Sequence, residues 1–224
     1  MVIAAHPDDE VLGCGGTIIK HIQRGDEVHV LILAEGVTSR DDTRVRKGRR
    51  DNVSKLKDMA KKAHKILGSG SIQFMGFPDN RMDSVDLLDV VKVVEKEINF
   101  RKPEIVYTHH SSDLNIDHRI TNQAVLTSCR PEPDQSVKKI YCFEVPSSTE
   151  WQSPYFNTIF SPQMFSDISD TLSLKLDALK AYDSEMRPWP HSRSIKAVEH
   201  LARWRGASVG LDAAEAFVTV RELI

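Results

Sequence analysis

The sequence predicts an α/β fold of Rossmann-like type, a mainly parallel sheet with helices on both faces. Three observations predict it. Strand-like and helix-like segments alternate from residue 2 to about residue 145, the pattern of right-handed βαβ units. The strand segments are short apolar runs such as EVHVLILA at 27–34, as expected of strands buried on both faces. Acidic and histidine-bearing segments fall directly after two of those runs, at the strand ends where open α/β sheets place their ligands. The last third, after Pro146, is less regular and is expected at the carboxyl edge of the sheet. Nothing reads as a linker, so residues 1–224 are expected to form one domain.

The elements follow in order. Residues 2–5 (VIAA) form a short strand that ends at His6-Pro7-Asp8-Asp9-Glu10. Residues 11–24 read as a helix closed by Gly25, and 27–34 as a buried strand. A polar loop from Glu35 to Arg50 follows, with five Arg and one Lys between Arg40 and Arg50. Residues 51–67 continue as an amphipathic helix. Val53, Leu56, Met59, Ala60, Ala63, Ile66 and Leu67 recur near its period, and Gly68 stops it. A strand at 71–77 ends in Pro78-Asp79-Asn80. A helix at 84–100 places Val85, Leu88, Val91, Val94 and Ile98 on one face. The strand at 104–110 (EIVYTHH) ends in two histidines. A helix at 117–129 and a strand at 138–145 complete the alternation. Beyond it, helices are expected at 170–182 and 194–205, and a short apolar segment at 217–220.

Composition narrows the function classes. The chain has 224 residues, is 40% hydrophobic and carries a net charge of −2. That is enough for a sizeable core, and it points to neither nucleic-acid nor membrane partners. Cys14, Cys129 and Cys142 have no paired spacing and read as buried thiols in a reducing compartment, consistent with the cytoplasm. No run approaches membrane-spanning length. No signal peptide is expected, because the first motif starts at residue 2, although so short a first strand leaves room for residues upstream.

The chemistry concentrates at His6-Pro7-Asp8-Asp9-Glu10. Acidic residues before a helix can serve simply as an N-cap, with Asp8 or Asp9 capping and the dipole favouring Glu10. Yet His6 lies three residues before Asp9, and Pro7 stiffens the turn between them. An imidazole crowded by carboxylates at a strand end is metal-ligand chemistry, suited to Zn²⁺. The glycines at 13, 15 and 16 do not fit G-x-G-x-x-G and fall inside the helix. They are read as allowing close packing on the sheet. A second group, THHSSDLNIDHR at 108–119, follows another strand. His6 and Asp9 with one histidine from this group would make a set of two nitrogens and one oxygen with an open fourth position. That is the layout of a catalytic site. Ligand type does not separate His109, His110 and His118. Asp8, beside the ligand Asp9, is positioned to take a proton from water or to orient His6.

These residues carry a resemblance. The chain resembles the PIG-L/LmbE-like family of zinc-dependent de-N-acetylases, whose A-H-P-D-D-E motif is matched at Ala5 to Glu10. Its D-H pair is matched at Asp117-His118. Weaker similarities are Leu67-Gly68, the G-F-P-D at Gly76 to Asp79 and the A-E-A-F at Ala214 to Phe217. The resemblance implies His6, Asp9 and His118 as ligands of one Zn²⁺ and Asp8 as general base. It further implies a Rossmann-like, often oligomeric enzyme, cytoplasmic or membrane-adjacent. The implied activity removes an N-acetyl group from an N-acetylglucosamine-type sugar or conjugate. Two alternatives remain: a deacylase of a different amide, and a non-catalytic metal- or sugar-binding relative.

One departure matters. Many members carry His where this chain has Asn115, and that His is thought to stabilise or protonate the tetrahedral intermediate. Asn donates a hydrogen bond but is not an acid. The expected proton donor is therefore His191 first and His110 second. Trp189 and Arg193, in the loop RPWPHSR at 187–193, are expected to bind the sugar, with Asn115 and Asp117. The arginines at 40–50 are candidates for a substrate phosphate.

Overall fold

The computed structural model describes residues 1–36, 49–153 and 159–224. The arginine-rich run lies outside the described residues (37–48) or has undescribed side chains (49 and 50), and the phosphate expectation with it.

Among the described residues, seven strands and six helices alternate much as the sequence predicts. In chain order they are β1 (Val2–Ala4), α1 (Asp9–Gln23), β2 (His29–Ala34), α2 (Arg49–Leu67), β3 (Ser71–Phe77), α3 (Leu87–Arg101), β4 (Ile105–His109), α4 (Ile116–Ser128), β5 (Lys139–Phe143), β6 (Met164–Asp167), α5 (Leu172–Lys180), α6 (Ile195–Ala207) and β7 (Ala214–Glu222). They form one sheet in the order β3-β2-β1-β4-β5-β7-β6. The first five strands in that order are parallel. β7 runs antiparallel to both β5 and β6. The sheet is buried on both faces, which is why β1 alternates between two cores. Val2 and Ala4 pack with α1, α2 and α5, and Ile3 packs with α3 and α4.

The strand order reverses between β1 and β4, which are neighbours in the sheet. The crevice at such a switch point opens at the strands' carboxyl ends. It is bounded here by the segments after β1 and β4, the two that the sequence marks as chemical.

The glycines of α1 behave as read. A Cβ on Gly13 would lie 2.3 Å from the Phe143 ring of β5, and one on Gly16 would lie 2.7 Å from Ile168. The helix is also kinked at Cys14 (φ −147°, ψ 26°). The N–H groups just beyond the kink, on Gly16 and Thr17, donate to the Glu215 carboxylate of β7 at 2.9 and 2.7 Å. Glu215 in turn pairs with Lys175 of α5 at 2.6 Å, and both are buried.

Two differences have plain causes. Residues 82–84 form a separate 3₁₀ turn and α3 starts only at Leu87. Its buried stripe is Val90, Val91, Val94 and Ile98, and Leu88, expected on that face, is 62% exposed. The last third also does more than lie at the carboxyl edge. It supplies the two antiparallel strands, of which β6 is too short to read from four residues, while its loops do reach that edge. No helix among the described residues is long and apolar enough to cross a membrane. The three cysteines are free and buried.

Candidate active site

The turn after β1 folds onto itself. Asp9 Oδ2 accepts the His6 N–H at 2.9 Å, and the Asp9 N–H donates back to the His6 carbonyl at 3.3 Å. This places His6 Nδ1 3.2 Å from Asp9 Oδ2. His118, in the first turn of α4, brings its Nε2 to 3.3 Å from His6 Nδ1 and 3.2 Å from Asp9 Oδ2. Three donor atoms from two distant segments thus form a nearly equilateral triangle, buried at all three corners.

That triangle fits a metal. Zinc–ligand bonds of about 2.0–2.2 Å in a tetrahedron separate neighbouring donors by about 3.3–3.6 Å, close to the edges seen. Two imidazoles and one carboxylate are a donor set for zinc, with a fourth position left for a reactant. Among the described residues, Asp9 Oδ1 is buried without a hydrogen-bond partner, and the Arg193 guanidinium lies 3.7 Å from it.

Carboxylates behind the triangle orient the rings. His6 Nε2 lies 3.0 Å from Asp117 Oδ2 and 3.2 Å from Asp79 Oδ1. His118 Nδ1 lies 3.1 Å from Asp113 Oδ1. Asp113 is itself held by Thr149 Oγ1 at 2.7 Å, by the Asn115 N–H at 2.8 Å and by Ser148 Oγ. Such outer partners fix the tautomer and aim of a ligating histidine. Burial opposes charge on both rings, but the carboxylates outweigh it. They hold His6 well above its ordinary value and raise His118 to about 9. Burial likewise opposes charge on Asp9, and the facing histidines hold it well below the carboxylate range. The pocket is built to hold positive charge.

Asp8 is not a corner of the triangle but stands beside it, with the Arg193 guanidinium reaching both Asp8 and Asp9. Its φ of 112° is unusual for a residue with a side chain. It occupies the N-cap position of α1, yet its carboxylate makes no capping bond, so the reading of these acids as a simple cap does not hold. Instead Asp8 Oδ2 accepts from Arg193 at 2.7 Å. Burial pushes the Asp8 carboxyl well above its ordinary value, against the pull of Arg193.

The other expected residues fall unevenly. Arg193 does reach the site, but it grips Asp8 and the Ser147 hydroxyl (2.8 Å). Asp117, expected to bind substrate, is fully buried, and its oxygens are taken by His6, the Asn80 N–H and the Met82 N–H. In that position it orients His6. Asn115 is the N-cap of α4, accepting from the Asp117 N–H and donating to Asn80 Oδ1 at 2.8 Å each. Trp189 is 53% exposed and packs on Lys196 and His200 of α6. No contact joins it to the triangle among the described residues.

The rival histidines separate as well. His109 stacks on His118 with centroids 3.9 Å apart, but its Nε2 accepts the Ala5 N–H at 2.8 Å. Burial and the neighbouring His118 charge keep it neutral. His110 accepts from the Ser112 N–H and packs edge-on against Phe160, and burial lowers its pKa. His191 accepts the Arg193 N–H at 3.0 Å and packs edge-on against Trp151. Neither His110 nor His191 contacts the triangle or Asp8 among the described residues. Sequence reasoning misses the roles of Asp113, Asp79, Glu10 and Tyr182. Of these, Asp79 carries the clearest sequence signal, in the G-F-P-D segment at a strand end.

The comparisons with known proteins point to one family. The family described as "PIG-L: GlcNAc-PI de-N-acetylase" matches residues 1–129, which hold the whole triangle and Asp8. An uncharacterized deacetylase, YaiS, of Escherichia coli K12 is 30% identical over 190 residues, covering 82% of this chain and 90% of its own. The diacetylchitobiose deacetylase of Thermococcus kodakarensis is 28% identical over 195 residues, covering 83% and 69%. Among solved structures, the 4-carboxy-2-hydroxymuconate hydratase GalB of Pseudomonas putida KT2440 shares the fold. Its TM-score is 0.78 and its identity 20%, over 100% of this chain and 96% of that one. With the motif, the fold and these matches in agreement, the chain belongs to the PIG-L family of de-N-acetylases.

Proposed function

We propose that this protein is a zinc-dependent de-N-acetylase acting on an N-acetylglucosamine-type sugar or sugar conjugate, releasing acetate and a free amine. The observation that carries the reading is the triangle of His6 Nδ1, Asp9 Oδ2 and His118 Nε2 with the Asp8 carboxylate beside it. Sugar deacetylation is named for the family and for the Thermococcus relative, which supports the substrate class. A zinc ion held by the triangle would polarise the amide carbonyl and lower the pKa of a coordinated water towards about 7.

The chain's own residues supply the rest. Asp8 accepts the proton of the attacking water and returns it to the leaving amine. Arg193 holds the Asp8 carboxylate in place and favours its ionised form. Asp117 and Asp79 orient His6, and Asp113 orients His118. His191, whose Nδ1 is committed to the Arg193 N–H, and His110, the first and second donors expected from the sequence, follow Asp8 as candidates for delivering the proton. One zinc per chain, a cytoplasmic setting and a possible homo-oligomer complete the proposal.

The test combines metal analysis with acetate release from a panel of N-acetylhexosamines and their conjugates. Wild type is expected to bind one zinc and to release acetate from at least one member. Asp8→Ala is expected to keep its zinc while turnover falls at least about 10²-fold, the scale of general-base loss. Full turnover in Asp8→Ala removes the base. Zinc binding with no acetate from any member favours a deacylase of another amide or a binding protein.

A further inference from the structure

Asp8 carries a side chain, yet it sits at φ 112° at the centre of the site. Backbone in so sparse a region persists only where its surroundings over-determine it. At Asp8 both main-chain polar groups are held. Its carbonyl accepts from the Val11 and Leu12 N–H groups at 3.1 and 2.9 Å. Its N–H donates 3.0 Å to Glu10 Oε2, a side chain that reaches back two residues.

Glu10 is itself held from outside the motif. Its Oε1 accepts from the Tyr182 hydroxyl at 2.7 Å and lies 3.1 Å from His64 Nε2. Glu10 and Tyr182 are fully buried and His64 is 2% exposed. A buried carboxylate is costly unless its oxygens are satisfied. Its retention here, with one oxygen given to the Asp8 main chain and the other to α2 and the segment after α5, demands a local use. Tyr182 and Arg193 belong to the same stretch of chain, between α5 and α6. That stretch therefore grips Asp8 twice, through Arg193 at the carboxylate and through Tyr182 and Glu10 at the backbone.

We propose that Glu10, clamped by Tyr182 and His64, is a positioning residue that holds the general base Asp8 in its positive-φ backbone conformation and so aims its carboxylate. The inference rests on Asp8 being the base, and its test has an arm independent of that.

The variants are Glu10→Leu, which removes the acceptor for the Asp8 N–H, and Glu10→Gln, which keeps one. Tyr182→Phe, which removes one clamp, is a third variant that preserves the packing. Crystal structures of the zinc-loaded proteins should show Asp8 relaxed to negative φ, with its carboxylate no longer bonded to Arg193, in Glu10→Leu but not in Glu10→Gln. With an active substrate, kcat should fall about tenfold or more in Glu10→Leu, with KM and zinc content near wild type. Glu10→Gln should restore most of it, and Tyr182→Phe should lower kcat to a smaller degree. Asp8 remaining at positive φ in Glu10→Leu overturns the clamp whatever the activity. If Glu10→Leu does not fold, unchanged kcat in Tyr182→Phe, or a loss in Glu10→Gln as large as that of Asp8→Ala, overturns it instead. A wild type that releases no acetate would sink the deacetylase reading and leave the crystallographic arm standing.

Discussion

Asp8, the proposed base, lies in sequence between two corners of the triangle, His6 and Asp9, yet it and the triangle are supported by different halves of the molecule. The triangle is made and braced almost wholly by the parallel half. His6 and Asp9 follow β1, His118 and its brace Asp113 follow β4, and Asp79 and Asp117 stand behind His6. Asp8 is braced by the C-terminal third, with Arg193 at its carboxylate and Tyr182 behind Glu10. The family match ends at residue 129, between these two sets of supports. The difference teaches that a parallel sheet can supply a ligand set from strand ends alone. The environment of the base instead depends on chain that returns from far away, 185 residues in the case of Arg193.

The largest expected effect breaks the first region. His118→Ala removes one corner of the triangle and leaves Asp113 and Asp9 without their shared partner. Zinc content should fall close to zero and turnover by more than about 10³-fold, since both the electrophile and the placement of water depend on the metal. His109→Ala should keep most of its zinc, because His109 Nε2 is committed to the Ala5 N–H. Metal analysis of the two variants decides the ligand, and zinc absent from His109→Ala alone would reverse the assignment.

The second region should behave differently. Arg193→Met removes the cation that faces Asp8 and leaves a buried carboxylate without that partner, which then favours its protonated form. Turnover should fall about 10²-fold while zinc stays bound. A joint fall in zinc and turnover would show that Arg193 supports the triangle too, and the two regions would no longer be separable.

Much of this is legible in the sequence, for physical reasons. The strand and helix alternation is local patterning, and β3 matches its expected span of 71–77. The candidate ligands His6 and Asp9 are legible because they sit in a short segment after a strand, whereas His118 is singled out from His109 and His110 only by the family resemblance. The partners that the sequence does not reveal are also instructive. Asp117 reads as substrate-facing because it neighbours His118, but successive helical residues diverge by about 100°, and Asp117 points beneath His6. Arg193 reads as a sugar ligand because nothing local reveals that its partner is Asp8. Glu10 reads as a dipole-favoured acid, since its use depends on Tyr182 and His64, on other elements. Side chains whose partners lie on non-adjacent elements have no signature in sequence spacing.

The smallest expected effect concerns the loop between the two grips on Asp8. The sequence places Trp189 over the substrate, yet the Lys196 ammonium lies 4.8 Å from its ring, which packs edge-on against His200, both residues being on α6. A half-exposed tryptophan in that position contributes a cation–π contact of about 0.5–1 kcal/mol and no group to the crevice. Trp189→Ala should therefore leave kcat/KM within about twofold of wild type and lower Tm slightly, as expected for so small a contribution. Arg193, a few residues on, should tolerate no comparable change, although both belong to one short loop. A drop of about tenfold or more in kcat/KM for Trp189→Ala, with zinc and Tm preserved, would place the indole over the substrate during turnover. The loop would then serve the substrate as well as the base.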